Sequence, residues 1–426
     1  MMRRAWWPAL VLTVANGATV EADYVAALRL KNAGDTTGAV AVLERIVAAR
    51  PGFSRAWQSM AEWTANGPQA GAVAARPEPA ACLGRIRLLK LQNAAESAIE
   101  TEARLCAGRL PDSFSVYVVW LNQMPENRWP ALRAEFTARA KQNPPSPALA
   151  FASALAAQLS PDAEVRRWLA SVDRRGLSVD NLNDLDDLAY FISADAAERQ
   201  AAVGRLMERA RASGDTHWLY RAAGRQASLA RAAQRWTEAL AAAREARAGA
   251  MELGRPAALF AGIEGECLYR LGRPREAIDA FQASLAAAER EKDRLREAQA
   301  AGWIADQLNV VGRFTEAIGY ARRALDLSRA LKNQEITADQ QINLAFSWTA
   351  LGQGPVALAA LEEARALVVA PARGWHGRIL NDAADLYLQL GRPREARECA
   401  DRSLATQALD GLRRAEAHLV RAQAAR

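Results

Sequence analysis

Apolar residues recur at helical spacing through most of the chain, and in the C-terminal half each apolar stretch ends at a glycine. Two apolar residues shortly before each glycine are three positions apart, which places them on one face of an α-helix. The glycine permits the positive φ of a tight turn into a second helix. These apolar pairs are Leu268 and Leu271, Leu308 and Val311, Trp348 and Leu351, and Tyr387 and Leu390.

The turn glycines recur at a nearly constant interval. They are Gly272, Gly312, Gly352 and Gly391, spaced 40, 40 and 39 residues apart. A period of this size indicates one helical hairpin stacked on copies of itself. Pro274 and Pro393 follow two of the glycines at the position where a second helix begins and a missing N–H costs little.

Small residues at two fixed positions predict close packing within each hairpin. The second helix carries an alanine near its start, and another small residue lies 12 positions earlier, on the first helix. Small side chains at both positions let the two helices approach closely, and a bulkier residue should cost roughly 1–3 kcal/mol. The pairs are Gly265 with Ala277, Ala305 with Ala317, Ala345 with Ala357 and Ala384 with Ala396, and Ala227, Trp236 and Ala239 form a weaker fifth copy.

The pattern resembles the tetratricopeptide repeat family. The resemblance lies in the order of a small residue, a large residue, a glycine, an alanine and an aromatic or small residue, as in Gly265, Leu268, Gly272, Ala277 and Phe281. The resemblance extends from about 220 to 408, and the long spacing looks like that of repeats common in bacterial regulatory and effector proteins. It implies an all-α solenoid, a right-handed superhelix of antiparallel helix pairs. Residues 20–53 resemble a standard 34-residue unit of the same family, with Ala27, Leu30, Gly34, Ala39 and Leu43 in the expected places.

These patterns divide the chain into five predicted segments. Residues 1–22 are a signal peptide, 23–79 form N-terminal hairpins, 80–215 form degenerate helical hairpins, and 216–408 form the repeat array. Residues 409–426 are a helix that either caps the array or begins a further repeat. Its inner face is expected to consist of Leu412, Ala415, Leu419 and Ala422.

The signal-peptide prediction rests on a basic start followed by an apolar run. Arg3 and Arg4 precede the run from Ala5 to Val14, which is too short to span a membrane, and small residues follow it. A periplasmic or secreted protein with no membrane span in its mature chain is therefore expected. The alternative is a cytoplasmic protein whose first residues form an apolar cap or follow a misassigned start codon.

The charge and the reactive residues limit the classes of function that the sequence supports. The formal net charge is +7, but the arginines are scattered at helical surface spacing, so pairing with acidic side chains is expected and nucleic-acid binding is not. His217, His376 and His418 are far apart, and His376 is expected in a solvated connection. Phosphate-binding, nucleophile-elbow and zinc motifs are absent from the sequence. We therefore expect no enzyme activity, no metal and no cofactor.

An acidic run over 181–188 superficially suggests a calcium loop, but it lacks the central glycine and the closing glutamate of such loops. A capping helix is expected there instead.

The four cysteines leave one candidate disulfide. If residues 80–91 and 95–107 form a hairpin that turns near Asn93, Cys82 and Cys106 come to the same end of it. In an oxidising compartment the two thiols would then bridge, and the alternative is a pair of buried reduced thiols. Cys267 and Cys399 lie about three repeats apart and are not expected to pair.

The family resemblance implies a concave groove lined by the first helix of each pair. Its mixed lining suits an extended peptide or a helix of a partner protein, with Tyr269 and Phe346 as anchors because aromatic residues dominate interface energetics. The alternative is a groove that is only solvated, or one filled by a terminus of the same chain. The predicted lining residues are Ser228, Arg231, Glu266, Tyr269, Arg270, Asp306, Asn309, Phe346, Thr349, Asp385, Leu388 and Gln389.

The prediction for function is a non-catalytic scaffold or adaptor that binds a protein or peptide. The alternative is a sensor or regulatory module of a larger system, such as one with a caspase-like protease, a kinase or a transcription regulator as its catalytic part. The identity of the partner and the oligomeric state stay open.

Overall fold

A computed structural model of the protein describes residues 19–67, 70–141, 146–157, 163–368, 374–406 and 411–425. Most of the predicted signal peptide, residues 1–18, lies outside the described residues. Helices dominate throughout these ranges, and the described residues contain no β-strand. The prediction of an all-α chain of paired helices is therefore confirmed.

The helices belong to two compact units. Unit 1 comprises the chain up to Gln226 together with Ala248–Gly254, and unit 2 comprises Ala227–Arg247 and the chain from Arg255 onward. The helices of unit 1 are α1 (Val20–Asn32), α2 (Thr36–Ala49), α3 (Ser54–Thr64), α4 (Ala70–Ala74), α5 (Ala81–Leu91), α6 (Glu96–Arg109), α7 (Phe114–Gln123), α8 (Trp129–Ala140), α9 (Pro147–Ala156), α10 (Ala163–Ala170), α11 (Val179–Ile192) and α12 (Ala196–Ser213), with a 3-10 turn at Glu126–Arg128.

The boundary between the units falls within two helices, α13 (Thr216–Ala232) and α14 (Trp236–Glu252). The remaining helices belong to unit 2. They are α15 (Ala258–Arg270), α16 (Pro274–Glu291), α17 (Arg294–Val310), α18 (Phe314–Ala330), α19 (Gln334–Ala350), α20 (Gly354–Leu367), α21 (Gly374–Gln389), α22 (Pro393–Leu404) and α23 (Gly411–Gln423).

Unit 1 begins with the hairpin expected over residues 20–53. The side chain of Thr19 caps α1 and that of Asp35 caps α2, each by accepting a hydrogen bond from a backbone N–H of the first turn. Gly34 makes the turn with φ +90°, and Ala27 and Ala39 are fully buried where the two helices meet. The hairpin is followed by α3 and by the five-residue helix α4.

Ion pairs join the first hairpins of unit 1 to its later helices. Arg50 donates to Asp180 of α11 over 2.6 Å, and Arg55 donates to both carboxylate oxygens of Asp215 over 2.9 and 2.5 Å. The backbone N–H of Phe114 donates to Asn181 Oδ1 over 3.2 Å. Residues far apart in the sequence of unit 1 are thus joined by side-chain contacts, two of which involve α11.

The run that superficially suggests a calcium loop lies in α11. Its helical conformation agrees with the sequence analysis, but the expectation of a capping segment was wrong, because Leu185, Asp186 and Leu188 are almost fully buried inside unit 1. Asp186 accepts hydrogen bonds from Arg174, Arg205 and Arg209 over 2.6 to 2.8 Å. Burial alone would raise the pKa of Asp186, but these three guanidinium groups hold it below its ordinary value.

Unit 2 contains the four predicted hairpins. The turn glycines have φ between +70° and +78°, and Pro274 and Pro393 stand at the start of α16 and α22. The small residues of the repeat pattern are all buried between the paired helices. At Gly265 the two helices are in close contact, and an added Cβ would lie 2.6 Å from the ring of Phe281.

The fifth, weaker copy also forms a hairpin, from α13 and α14. Gln234 takes the turn position with φ +57°, and Ala227 and Ala239 are fully buried. A non-glycine residue in this left-handed conformation is uncommon. The sequence pattern is weaker there because no glycine marks the turn.

Many of the scattered arginines pair with acidic side chains, as expected. After three of the four turn glycines, an arginine pairs with the glutamate three positions later, on the first turn of the second helix. These pairs are Arg273 with Glu276, Arg313 with Glu316 and Arg392 with Glu395. The glutamates also lie at a helix N-terminus, where negative charge is favoured.

The C-terminal helix α23 forms, but the predicted inner face was wrong. Ala415, Leu419 and Ala422 are exposed, with Leu419 59% exposed, whereas Ala417 and Val420 are buried. The helix therefore packs through the face that carries Ala417 and Val420. The side chain of Leu412 lies outside the described residues.

Candidate functional site

The candidate site is the face of unit 2 formed by α13, α15, α17, α19 and α21, the first helices of successive hairpins. We call it the first-helix face, and it comprises the exposed side chains of these helices and the side chains that link one first helix to the next. Arg231 donates to Glu266 over 3.0 Å, Asn309 Nδ2 donates to the backbone oxygen of Asn343 over 3.1 Å, and Arg378 pairs with Asp339. These contacts link successive first helices along the array.

An aromatic stack forms one half of this face. The Arg270 guanidinium lies 5.4 Å from the ring centre of Trp236 and 5.6 Å from that of Tyr269. Tyr269 is 6.3 Å from Trp303, whose ring lies parallel to that of Phe281 at 5.6 Å. Trp303 nevertheless stays 37% exposed, so its outer surface is open to a ligand.

Phe346 is the second exposed aromatic side chain of the face. It lies on α19, is 39% exposed, and its nearest aromatic neighbour is Phe314 at 6.3 Å between ring centres. A ring of this size exposed on a helix offers an apolar anchor to a binding partner.

Carboxylates lie on three of the first helices, α17, α19 and α21. Arg378 donates to Asp339 over 2.5 and 2.9 Å and lies 3.8 Å from Glu335. Burial raises the pKa of Asp306 to about 6, with further contributions from the charges of Asp382 and Asp339. Asp306 is on α17 and Asp382 is on α21, two hairpins further along, so the array brings non-adjacent first helices into electrostatic range.

Some of the predicted lining residues form hydrogen bonds or apolar contacts with other residues of the chain. Asn309 is buried, donating to α19 and accepting a hydrogen bond from Ser347 Oγ over 2.6 Å. Thr349 Oγ1 donates to the backbone oxygen of Ala345 over 2.8 Å, and Gln389 donates to Asp385 over 2.7 Å. Leu388 packs against the apolar core of the last hairpins. Ser228 is half-buried, and Arg231 and Arg270 are exposed.

Several residues of the face were not predicted from the sequence, among them Trp303, Asp339, Arg378 and Asp382. A signal for them exists in the repeat register. Trp303 and Asp382 each lie two residues before the small residue of their first helix, and Asp339 and Arg378 each lie six residues before it. The family resemblance indicated residues a turn or so before each glycine, and these all follow the small residue of their helix.

His376 does not lie in a solvated connection, and that expectation was wrong. It stands near the start of α21, is 2% exposed, and its ring is 4.1 Å from that of Trp375. It therefore belongs to the packed part of unit 2.

The structure joins Cys82 and Cys106 in a disulfide with sulfur atoms 1.98 Å apart. The bridge links α5 to α6, whose hairpin turns at Asn93 with φ +55° as expected. Cys267 and Cys399 are free and buried, and burial raises the pKa of each thiol to about 11. Both therefore stay protonated at neutral pH.

In the described part of the chain, the histidine, cysteine and acidic side chains form no group arranged to hold a metal ion. None of its helices combines the length and the apolar character that crossing a bilayer requires.

Solved structures share this architecture. A signal transduction ATPase with numerous domains that has a tetratricopeptide repeat sensor, from Pyrococcus horikoshii, matches with a TM-score of 0.54 at 13% identity, over 87% of this chain and 52% of that one. This chain thus spans about half the length of that protein. The likeness supports a tetratricopeptide-like repeat fold.

Two further structures match over large parts of the chain with lower scores. The APC/C heterotetramer Cut9–Hcn1 matches at 16% identity, over 96% of this chain and 76% of that one, with a TM-score of 0.46. NprR in complex with its cognate peptide NprX matches at 15% identity, over 64% and 82%, also with a TM-score of 0.46. No protein-family model matches the sequence, and the search of curated proteins found no relative.

Proposed function

We propose that the protein is a non-catalytic adaptor that binds a protein or peptide partner on the first-helix face of unit 2. The observation that carries the proposal is the exposure of Phe346 and Trp303 on that face, at 39% and 37%. Exposed aromatic side chains that are held by neighbouring helices lose little conformational entropy on binding, so they make effective anchors.

The rigidity of the face also supports a binding role. Its side chains are positioned by contacts between helices, such as the stack of Arg270 between Trp236 and Tyr269. A preorganised surface binds without first having to order itself. The spacing of the first helices provides a row of similar positions, which suits an elongated ligand such as an extended peptide or a helix.

A capture experiment tests the proposal. The full-length chain and its Tyr269→Ala/Phe346→Ala variant are used as baits, and the proteins recovered with each are quantified. The matched control is Leu331→Ala/Val356→Ala, which removes exposed apolar side chains that lie off the first helices. We expect a partner whose recovery falls at least tenfold with the first variant and is unchanged with the control. Equal recovery with both variants would refute the proposed face.

We also propose that the protein works outside the cytoplasm, in the periplasm or after secretion. The signal-like segment of residues 1–22 and the disulfide between Cys82 and Cys106 support this proposal, since such bonds persist in oxidising compartments. Cell fractionation of the native protein, with alkylation of free thiols before lysis, tests it. A cytoplasmic protein with all four cysteines alkylated after unfolding would contradict it.

A further inference from the structure

The first-helix face carries an excess of negative charge on a chain that is basic as a whole. Its carboxylates include Asp306, Glu335, Asp339 and Asp382, and Arg378 is a cation that lies among them. The formal charge of the chain is +7, so this local excess is not a consequence of the overall composition. The charge of the face therefore favours cationic ligands.

Asp306 is the carboxylate of this group that is best placed to receive a cation. Arg378 directs both of its terminal nitrogens to Asp339, over 2.5 and 2.9 Å. Asp306 accepts a hydrogen bond from Gln307 Nε2 over 2.7 Å, and within the described part of the chain it forms no ion pair. A half-buried carboxylate without an ion pair attracts a cation more strongly than one at an open surface.

Gln307 provides a second observation at the same place. Its side chain is 0% exposed, and its amide reaches the carboxylate of Asp306 through Nε2. The amide oxygen Oε1 has no hydrogen-bond partner in the structure. A buried acceptor without a donor is unfavourable, and a ligand at Asp306 with several N–H groups has a further donor to offer this oxygen.

We propose that the first-helix face binds a segment of a partner protein through an arginine side chain that pairs with Asp306. The neighbouring apolar or aromatic side chains of the segment then pack on Trp303 and Phe346. Arginine fits better than lysine because its guanidinium has several donors in a fixed plane and also stacks on aromatic rings. This inference rests on the proposed function, because it names the chemistry of the ligand that the same face binds.

A peptide selection tests the inference. The full-length protein selects binders from a random peptide library, and the affinities of the enriched peptides are then measured for the wild type and for three variants. Phe346→Ala tests the apolar anchor, Asp306→Asn removes one negative charge at nearly constant shape, and Arg378→Gln removes the cation that competes with the ligand. Circular dichroism and thermal unfolding establish that each variant is folded.

We expect enriched peptides to contain arginine next to an aromatic or aliphatic residue. Their affinity should fall at least tenfold with Asp306→Asn and with arginine replaced by glutamate in the peptide, and about threefold or more with arginine replaced by lysine. Arg378→Gln should raise the affinity, and a folding defect cannot produce an increase.

The outcomes separate the two proposals. Peptides that lose affinity with Phe346→Ala, yet show no excess of arginine and bind Asp306→Asn as tightly as wild type, would overturn the inference and leave the proposed function standing. If no enriched peptide depends on Phe346, the proposed function itself is contradicted and the inference fails with it.

Discussion

The ring of Phe281 lies directly against the backbone of Gly265, so that a Cβ at position 265 would come within 2.6 Å of two ring carbons. Phe281 is fully buried and is stacked on its other side by Trp303, so its ring has little room to move. The hairpin of α15 and α16 therefore depends on the absence of a side chain at this position.

Replacing Gly265 with alanine should lower the free energy of unfolding of unit 2 by about 1–3 kcal/mol, because the added methyl group overpacks the hairpin. Chemical denaturation measures the change. The control is Gly319→Ala on α18, where an added Cβ meets nothing within 4 Å. Alanine there should be neutral or stabilising by up to about 1 kcal/mol. Equal effects of the two changes would contradict the packing described here.

Asp186 should be a principal electrostatic support of unit 1. Replacing it with asparagine leaves Arg174, Arg205 and Arg209 without their shared carboxylate, which is 0% exposed. Breaking a buried ion pair by removing one partner typically costs about 3–5 kcal/mol. Asp173→Asn is the control, because the Asp173–Arg175 pair is at the surface and its loss should leave stability close to that of the wild type. Urea denaturation followed by circular dichroism compares the two variants.

The same carboxylate should contribute to acid unfolding. The pKa of Asp186 is lower in the folded chain than in the unfolded one, so the unfolded state takes up a proton first as pH falls. The contribution of Asp186 to stability is therefore complete above the unfolded pKa of about 3.9 and is lost as pH falls from there through the folded pKa. Stability measured from pH 6 downward should fall less steeply for Asp186→Asn than for wild type. Parallel curves would show that Asp186 does not titrate in this way.

Reduction of the Cys82–Cys106 bond should destabilise unit 1. The two cysteines are 24 residues apart, and closing a loop of this size stabilises a fold by about 3 kcal/mol in the chain-entropy model. Unfolding is measured with and without reductant, and Cys82→Ala/Cys106→Ala serves as the variant that reductant cannot affect. An identical response of wild type and variant to the reductant would contradict the prediction.

The repeat array could be predicted because its determinants are local. Gly272 and Gly312 take the positive φ that their turns require, and Ala305 and Ala345 are buried as the spacing of small residues implies. Unit 1 was predicted less completely, since its organisation depends on pairs far apart in sequence. Arg55 and Asp215, for example, are 160 residues apart, and no short-range pattern links them.

The face of unit 2 was predicted only in part, because some of its contacts also join residues far apart in sequence. Tyr269 and Phe346 follow from the family resemblance, and both take part in ring contacts on the face. The pairing of Asp339 with Arg378 depends on how closely α19 and α21 approach, which the sequence of either helix alone does not determine. The burial of Asn309 likewise follows from its bonds to the next first helix.

The most direct test of the central claim is site-specific photo-crosslinking of the full-length protein in its native cells. A photoreactive phenylalanine analogue is placed at position 346 on α19, or at the exposed position 319 on α18 as control. If the first-helix face is the binding surface, position 346 gives a discrete crosslinked partner that position 319 does not give. The same adducts from both positions, or adducts from position 319 alone, would contradict the claim.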